Sequence, residues 1–250
     1  MTRRVRLDRA LSKLGILSRS QAADAIRAGR VRVDGRVVED PAHLVIPERA
    51  RIRLDEHARH RAPWRTILFH KPRGVVTTRA DPDGRRTIYD VMGEDARGLN
   101  PVGRLDLATT GLLLLTTDTQ LANWITDPEN AVPRVYIVTV RGALTPADVA
   151  RLPAAHAVLR KHSARESHLI VELHEGKNRQ LRRMFDAIGH EVTRLKRVRL
   201  GGLELDALEP GAFREVTRAE VRAAFPGAPG IGYRRGAPIS FIARSARSGR

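Results

Sequence analysis

The clearest apolar run in the chain, Gly111-Leu112-Leu113-Leu114-Leu115, is continuous rather than alternating. A short run of this kind, closed by Thr116 and Thr117, reads as a buried strand and therefore demands a sheet around it. It stops far short of the ~18 apolar residues needed to cross a bilayer, so no membrane-spanning segment is expected. The chain has 250 residues. That is room for two domains at roughly 100–200 residues each. Apolar residues make up 42% and charged residues 29%, the balance of ordinary globular proteins, which excludes wholesale disorder.

Cysteine is absent, which removes disulfides, thiolate zinc sites, iron–sulfur clusters and cysteine nucleophiles together. The nine histidines show no metal-ligand spacing, so no metal site is expected. The basic start Met1-Thr2-Arg3-Arg4-Val5-Arg6 meets Asp8 with no apolar core or small-residue cleavage site behind it, and a cytoplasmic location is the expectation. Lys and Arg number 45 against 28 Asp and Glu, a net charge of +17, so a polyanion is the natural partner. Charge alone does not separate RNA from DNA or an acidic membrane surface. A monomer is the default for the oligomeric state.

Residues 1–61 hold 15 basic and 8 acidic side chains, +7 of that excess, and read as a separate module. Leu7, Ala10, Leu11 and Leu14 fall at i, i+3, i+4, i+7, with Gly15 placed to end a first helix. Ser18-Arg19-Ser20-Gln21 has the spacing of a capping box, and Gly29 closes the second helix. Val31-Arg32-Val33 and Arg36-Val37-Val38 alternate around Asp34-Gly35, a pair suited to a tight hairpin turn, and Ile52 and Leu54 extend this small sheet. Arg9, Lys13, Arg19, Arg27, Arg30, Arg32 and Arg36 run positive charge along the helix pair into the hairpin. For any single arginine a solvated face is a sufficient explanation.

Residues 57–63 lack periodicity and read as a linker, and residues 62–230 form a second domain. Its pieces alternate: strands at 66–69, 111–117, 135–140, 168–174, 192–198 and 203–205, and helices near 121–125, from Thr145-Pro146 onward, and at 181–188 up to Gly189. This order predicts an α+β fold with a mixed, largely antiparallel sheet. Residues 231–250 carry five arginines and no acid among Gly, Ser and Pro, and read as a disordered basic tail.

Two stretches can carry chemistry. In Pro101-Val102-Gly103-Arg104-Leu105-Asp106-Leu107-Ala108-Thr109-Thr110-Gly111 a carboxylate precedes the apolar strand, although Asp and Thr also cap turns. In Glu175-Gly176-Lys177-Asn178-Arg179-Gln180-Leu181-Arg182-Arg183-Met184 basic and amide residues gather at a helix start, with Arg179, Arg182 and Arg183 spaced to share a face. Positive charge there opposes the helix dipole, so an anion is expected nearby: RNA phosphate, the Asp106 carboxylate, or both.

The first module resembles the S-four-type RNA-binding domain through Arg6-Leu7-Asp8-Arg9-Ala10-Leu11, Ser18-Arg19-Ser20-Gln21-Ala22 and Gly29-Arg30-Val31-Arg32-Val33-Asp34-Gly35. The resemblance implies a helix pair that grips structured RNA through phosphates. The second domain resembles the pseudouridine synthases, in particular the RsuA/RluB branch that modifies ribosomal RNA. The matching pieces are residues 70–78, Gly103-Arg104-Leu105-Asp106, residues 110–116, Val135-Tyr136-Ile137-Val138 and residues 176–184.

That resemblance implies isomerisation in place of a uridine in ribosomal RNA or a pre-ribosomal particle, without cofactor or metal, with the large subunit favoured by the context of residues 104–115 and the small subunit left open. It assigns Asp106 as the catalytic carboxylate, Arg182 as the guanidinium that keeps it ionised, and Tyr136 as the ring against the uracil. Arg104 would fill the gap left by the flipped base and Leu181 would pack on it. Lys177, Asn178, Arg179, Gln180 and Arg183 would bind substrate, with Arg179 and Arg183 on phosphate. Two positions depart from the family pattern, His70 where Asn is commoner and Arg134 where Lys is commoner, and neither is expected to touch the chemistry. A non-catalytic ribosome-assembly factor is the alternative. A methyltransferase is disfavoured, because Gly227-Ala228-Pro229-Gly230-Ile231-Gly232 is no nucleotide-binding turn.

Overall fold

The computed structural model describes residues 4–13, 17, 19–47, 49–54, 64–153 and 156–229. Leu14 and Gly15 at the end of the first helix, the Ser18 cap, the linker at 57–63 and the basic tail at 231–250 lie outside the described residues. The chain divides into two units between residues 62 and 63.

The first unit contains β1 (Val5–Arg6), α1 (Leu7–Lys13), α2 (Arg19–Arg27), β2 (Val31–Val33), β3 (Arg36–Val38), β4 (Leu44–Val45) and β5 (Ile52–Leu54). Leu7, Ala10 and Leu11 of α1 and Ala22, Ala25 and Ile26 of α2 close on Val31, Val33 and Ile52 of the sheet β3-β2-β5. The hairpin turn has both Asp34 and Gly35 at positive φ, 51° and 87°, as its sequence predicts. Asp8, in the first turn of α1, is buried and accepts from the Arg6 and Arg19 guanidiniums at 3.1 and 3.4 Å and from the Arg9 amide at 2.7 Å. Burial opposes its charge, but these three donors outweigh it and hold the carboxyl below the usual carboxylate range.

The second unit is built on one sheet. Its strands are β6 (Thr66–Lys71), β7 (Asn100–Pro101), β8 (Thr110–Thr116), β9 (Arg134–Arg141), β10 (His156–His162), β11 (Glu166–Leu173), β12 (Val192–Leu200), β13 (Leu203–Glu204) and β14 (Phe213–Glu215). The order is β10-β11-β9-β12-β8-β6-β14, with β7 on β8 and β13 on β12. Only the β12–β8 pairing is parallel, so the expectation of a mixed, mostly antiparallel sheet holds. The helices are α3 (Ile88–Met92), α4 (Thr119–Thr126), α5 (Pro146–Ala150), α6 (Gln180–Asp186) and α7 (Arg218–Ala224).

The apolar run at 112–115 is continuous because β8 is covered on both faces. Leu113 and Leu115 join Ile67, Phe69 and residues of α3 and α6 in one cluster, while Leu112 and Leu114 join Leu68 and residues of α4 and α7 in the other. All four leucines are fully buried, each contributing about 1.5–3 kcal/mol of transfer free energy. The structure adds elements that the apolar pattern did not mark: α3, β7, β10, β14 and α7. Helices α3 and α7 nonetheless carry full capping boxes, Thr87 with Asp90 and Thr217 with Glu220. Strand β10 alternates exposed with half-buried residues at a sheet edge, so burial leaves it no strong pattern.

Candidate active site

Asp106 sits on the connection between β7 and β8, two strands that pair with each other, so the loop is closed at its base by Val102 N–H to Leu114 O at 2.8 Å. The segment after β6 holds the rest of it. The Thr77 hydroxyl donates to Leu105 O at 2.9 Å, Gly74 N–H donates to Leu107 O at 2.9 Å, and Lys71 Nζ donates to Thr109 O at 2.9 Å. Leu105 is buried in the core beside it, and Thr109 N–H returns to Asp106 O at 3.0 Å. Every one of these bonds uses backbone or neighbouring side chains. Among the described residues no donor is spent on the Asp106 carboxylate.

Asp106 lines a cavity of about 290 Å³ between this loop, the ends of α4, β9 and β12, and the segment 175–181. Tyr136 and Leu181 line it too, and both also belong to the apolar core, so each serves as core and wall at once. Arg104, Lys177, Asn178 and Arg179 are exposed and lie at its mouth. Deeper in the wall are two buried arginines, Arg134 and Arg197. Arg134, which the sequence expects to stand clear of the chemistry, lines the cavity wall. It opens β9 two residues before Tyr136, so both side chains leave the same face of the sheet.

Lys71 lies within the motif at residues 70–78, where the sequence marks no role for it. It is fully buried, and its amine donates to Pro72 O and Thr109 O. Desolvation lowers its pKa to about 8, while the negative charge of nearby Asp106 works the other way. The available signal was a lysine ending an apolar strand. What makes it matter is the register Lys71↔Gly111, which brings the amine to the foot of the Asp106 loop. His70 is 2% exposed, with Nδ1 bonded to Leu208 O at 2.7 Å.

The depressed Lys71 pKa gives a stability prediction with a definite sign. Between about pH 8 and 10.5 the unfolded chain holds the lysine proton and the folded chain has released it, so stability rises with pH across that window. The cost of the charged amine is at most about 3 kcal/mol and is shed at the top of the window. Thermal melts of wild type and Lys71→Met at pH 7.5 and pH 10 check this: the wild-type advantage should widen at pH 10. A constant difference would contradict it.

The segment 175–181 differs from its sequence reading in one respect. Helix α6 starts at Gln180, and Arg179 is its N-cap in the left-handed conformation, φ 48° and ψ 32°. Arg179 therefore does not share a helical face with Arg182 and Arg183. The turn is tied instead by Gln180 Nε2 to Glu175 at 2.6 Å and by the Lys177–Glu175 ion pair at 2.9 Å. Arg183 is exposed and lies outside the cavity lining.

Arg182 also lies outside the lining. Its Nη1 donates to Val192 O at 2.7 Å, and its buried Nε and Nη2 have no protein partner. Burial and the Arg179 charge lower its pKa, and the Asp106 charge raises it, so the two groups feel each other although no ion pair joins them. The Asp106 charge thus bears on two cations, Lys71 and Arg182, while among the described residues its own oxygens accept no hydrogen bond.

In the first unit Arg9, Arg27 and Arg32 are exposed, as an RNA-gripping surface requires. Arg27 pairs with Asp24 at 3.4 Å, an exposed ion pair of little energetic weight. Arg19 is committed to Asp8, and Arg30 is half-buried with an unpartnered Nε. Among the described residues no helix is long and apolar enough to cross a membrane.

Residues 65–187 match the RNA pseudouridylate synthase family and residues 5–48 match the S4 domain. The chain is 34% identical to the ribosomal large subunit pseudouridine synthase B of Bacillus subtilis, over 87% of this chain and 94% of that one. It is 37% identical to the protein of the same description from Escherichia coli, over 86% and 80%. A crystal structure of a pseudouridylate synthase superposes with a TM-score of 0.58 at 28% identity, covering 87% of this chain and 98% of that one. This chain belongs to the RNA pseudouridine synthase family, a class of isomerases, with an S-four-type module at its N-terminal side.

Proposed function

We propose that the chain isomerises a uridine of large-subunit ribosomal RNA in place, with Asp106 as the catalytic carboxylate. The N1–C1′ bond breaks, the uracil turns, and a C5–C1′ bond forms. Either route to this, attack on C1′ or removal of a ribose proton, needs one ionised carboxylate at the ribose. The observation that carries the reading is Asp106 itself: a cavity-lining carboxylate with both oxygens unspent, within reach of the charges of Lys71 and Arg182.

A stacked uracil cannot reach such a cavity, so the nucleotide must be extruded from its helix. Arg104, exposed at the mouth two residues before Asp106, is placed to occupy the gap with its planar guanidinium. Tyr136 and Leu181 then enclose the base. Phosphates on either side meet Lys177, Arg179 and Arg183, while Arg9, Lys13, Arg27, Arg30 and Arg32 of the first unit supply sequence-independent affinity. The relatives from Bacillus subtilis and Escherichia coli are large-subunit pseudouridine synthases, which favours the large subunit here.

Mapping pseudouridines in ribosomal RNA from cells lacking this chain tests the reading. A site in the large-subunit RNA should disappear, and the purified protein should restore it on RNA from those cells. An unchanged map would refute the assignment.

A further inference from the structure

Arg197 is a buried cation in the cavity wall that the mechanism above leaves unused. It is 4% exposed, its Nε donates to Leu112 O at 2.7 Å, and its buried Nη2 has no hydrogen-bond partner among the described residues. The neighbouring Arg134 is differently situated. Its Nη1 donates to Val132 O and His174 O and its Nη2 to Ile125 O, so backbone carbonyls absorb its donors. The two guanidiniums are close enough for the charge of Arg197 to weigh on Arg134, and among the described residues no carboxylate pairs with either. Among the described residues, no acceptor meets the buried Arg197 Nη2.

The position of Arg197 limits what an acceptor there can be. It stands across from Tyr136 in the β12–β9 register, on the same face of the sheet, with Leu195 two residues before it. Tyr136, Leu181, Leu195 and Leu200 make this the apolar, buried end of the cavity, whereas Arg104, Lys177 and Arg179 make the mouth charged and exposed. A nucleotide entering base-first leaves its phosphates at the mouth and brings the base to the buried end. Uracil offers two acceptors there, O2 and O4.

We infer that Arg197 is a substrate-binding residue that donates from its guanidinium to a carbonyl oxygen of the extruded uracil. The inference rests on the uridine-isomerase reading and deepens it by assigning the base-reading donor. A hydrogen bond from a charged donor is worth roughly tenfold to a hundredfold in rate or affinity. A site with a donor so placed discriminates against an analogue whose acceptor is weakened.

The test uses a synthetic stem-loop of the mapped target, carrying uridine, 2-thiouridine or 4-thiouridine at the reactive position. Single-turnover pseudouridine formation is measured with the full-length wild type and with Arg197→Met. Wild type should lose about tenfold or more on one of the two thio substrates, because sulfur is the poorer acceptor. The variant should be slower on uridine by a similar factor and show no further loss on that thio substrate. If Arg197→Met misfolds, Arg197→Lys, which keeps one charged donor, should retain a reduced thio penalty.

Equal thio penalties in wild type and variant would overturn the inference, as would a wild type indifferent to both sulfurs. A wild type that converts no uridine at all would instead overturn the catalytic reading on which it rests.

Discussion

Asp106→Asn is expected to remove pseudouridine formation while leaving the fold and the grip on RNA intact. An amide is neither nucleophile nor base toward C1′ or a ribose proton, and losses on the order of 10⁴-fold or more follow removal of such a group. The substitution is close to isosteric. The loop is held by Val102, Gly74, Thr77 and Lys71 through contacts in which the carboxylate takes no part. Stability should therefore change by no more than about 0.5 kcal/mol. Mapping and melting of the same preparation check both halves. Full activity in Asp106→Asn would end the case for this carboxylate. The variant also has a signature on its neighbour: without the Asp106 charge the Lys71 amine should titrate below about 8, which lysine-side-chain NMR can follow.

The legible part of this fold was the part that burial writes into sequence. Strand β8 announced itself because both faces are covered, and the Asp34-Gly35 turn because two consecutive positive φ angles admit few residue types. Helix α5 is specified locally, by the Thr145 cap and Pro146 in its first turn, without any tertiary contact. The neighbourhood of the carboxylate was not legible in the same way. Arg134 and Lys71 stand at the ends of largely apolar strands, and Arg197 is one of four basic residues in β12, so nothing in the pattern singles any of them out. Register alone brings them to the site: Lys71 opposite Gly111, Arg197 opposite both Gly111 and Tyr136, and Arg134 opposite Leu200 and Leu173. Arg179 illustrates the converse case. Its spacing to Arg182 and Arg183 predicts one helical face, but a left-handed N-cap begins the helix one residue later.

Gly111→Ala is expected to be the most damaging single-methyl change in the catalytic unit. Gly111 has φ +107°, and an added Cβ would lie 2.1 Å from Arg197 O, 2.6 Å from Arg197 N and 2.9 Å from Arg197 C. All three are backbone atoms of the facing strand, so no side-chain rotation relieves the clash. The pair it would break is the parallel contact between β8 and β12, where Thr110 faces Lys196 and Gly111 faces Arg197. The same methyl strains a conformation that L-residues disfavour by about 1–2 kcal/mol. Gly189→Ala isolates that second cost, since Gly189 has φ +83° and nothing within 4 Å of its would-be Cβ. In urea unfolding Gly189→Ala should lose about 1 kcal/mol and Gly111→Ala more than about 3 kcal/mol. Whatever fraction of Gly111→Ala still folds should be impaired in turnover as well, because parting β8 from β12 moves the end of the Asp106 loop away from Arg197 and Tyr136. Equal destabilisation of the two variants would show that the strands can separate freely at this point, and the close approach would then carry no part in holding the site together.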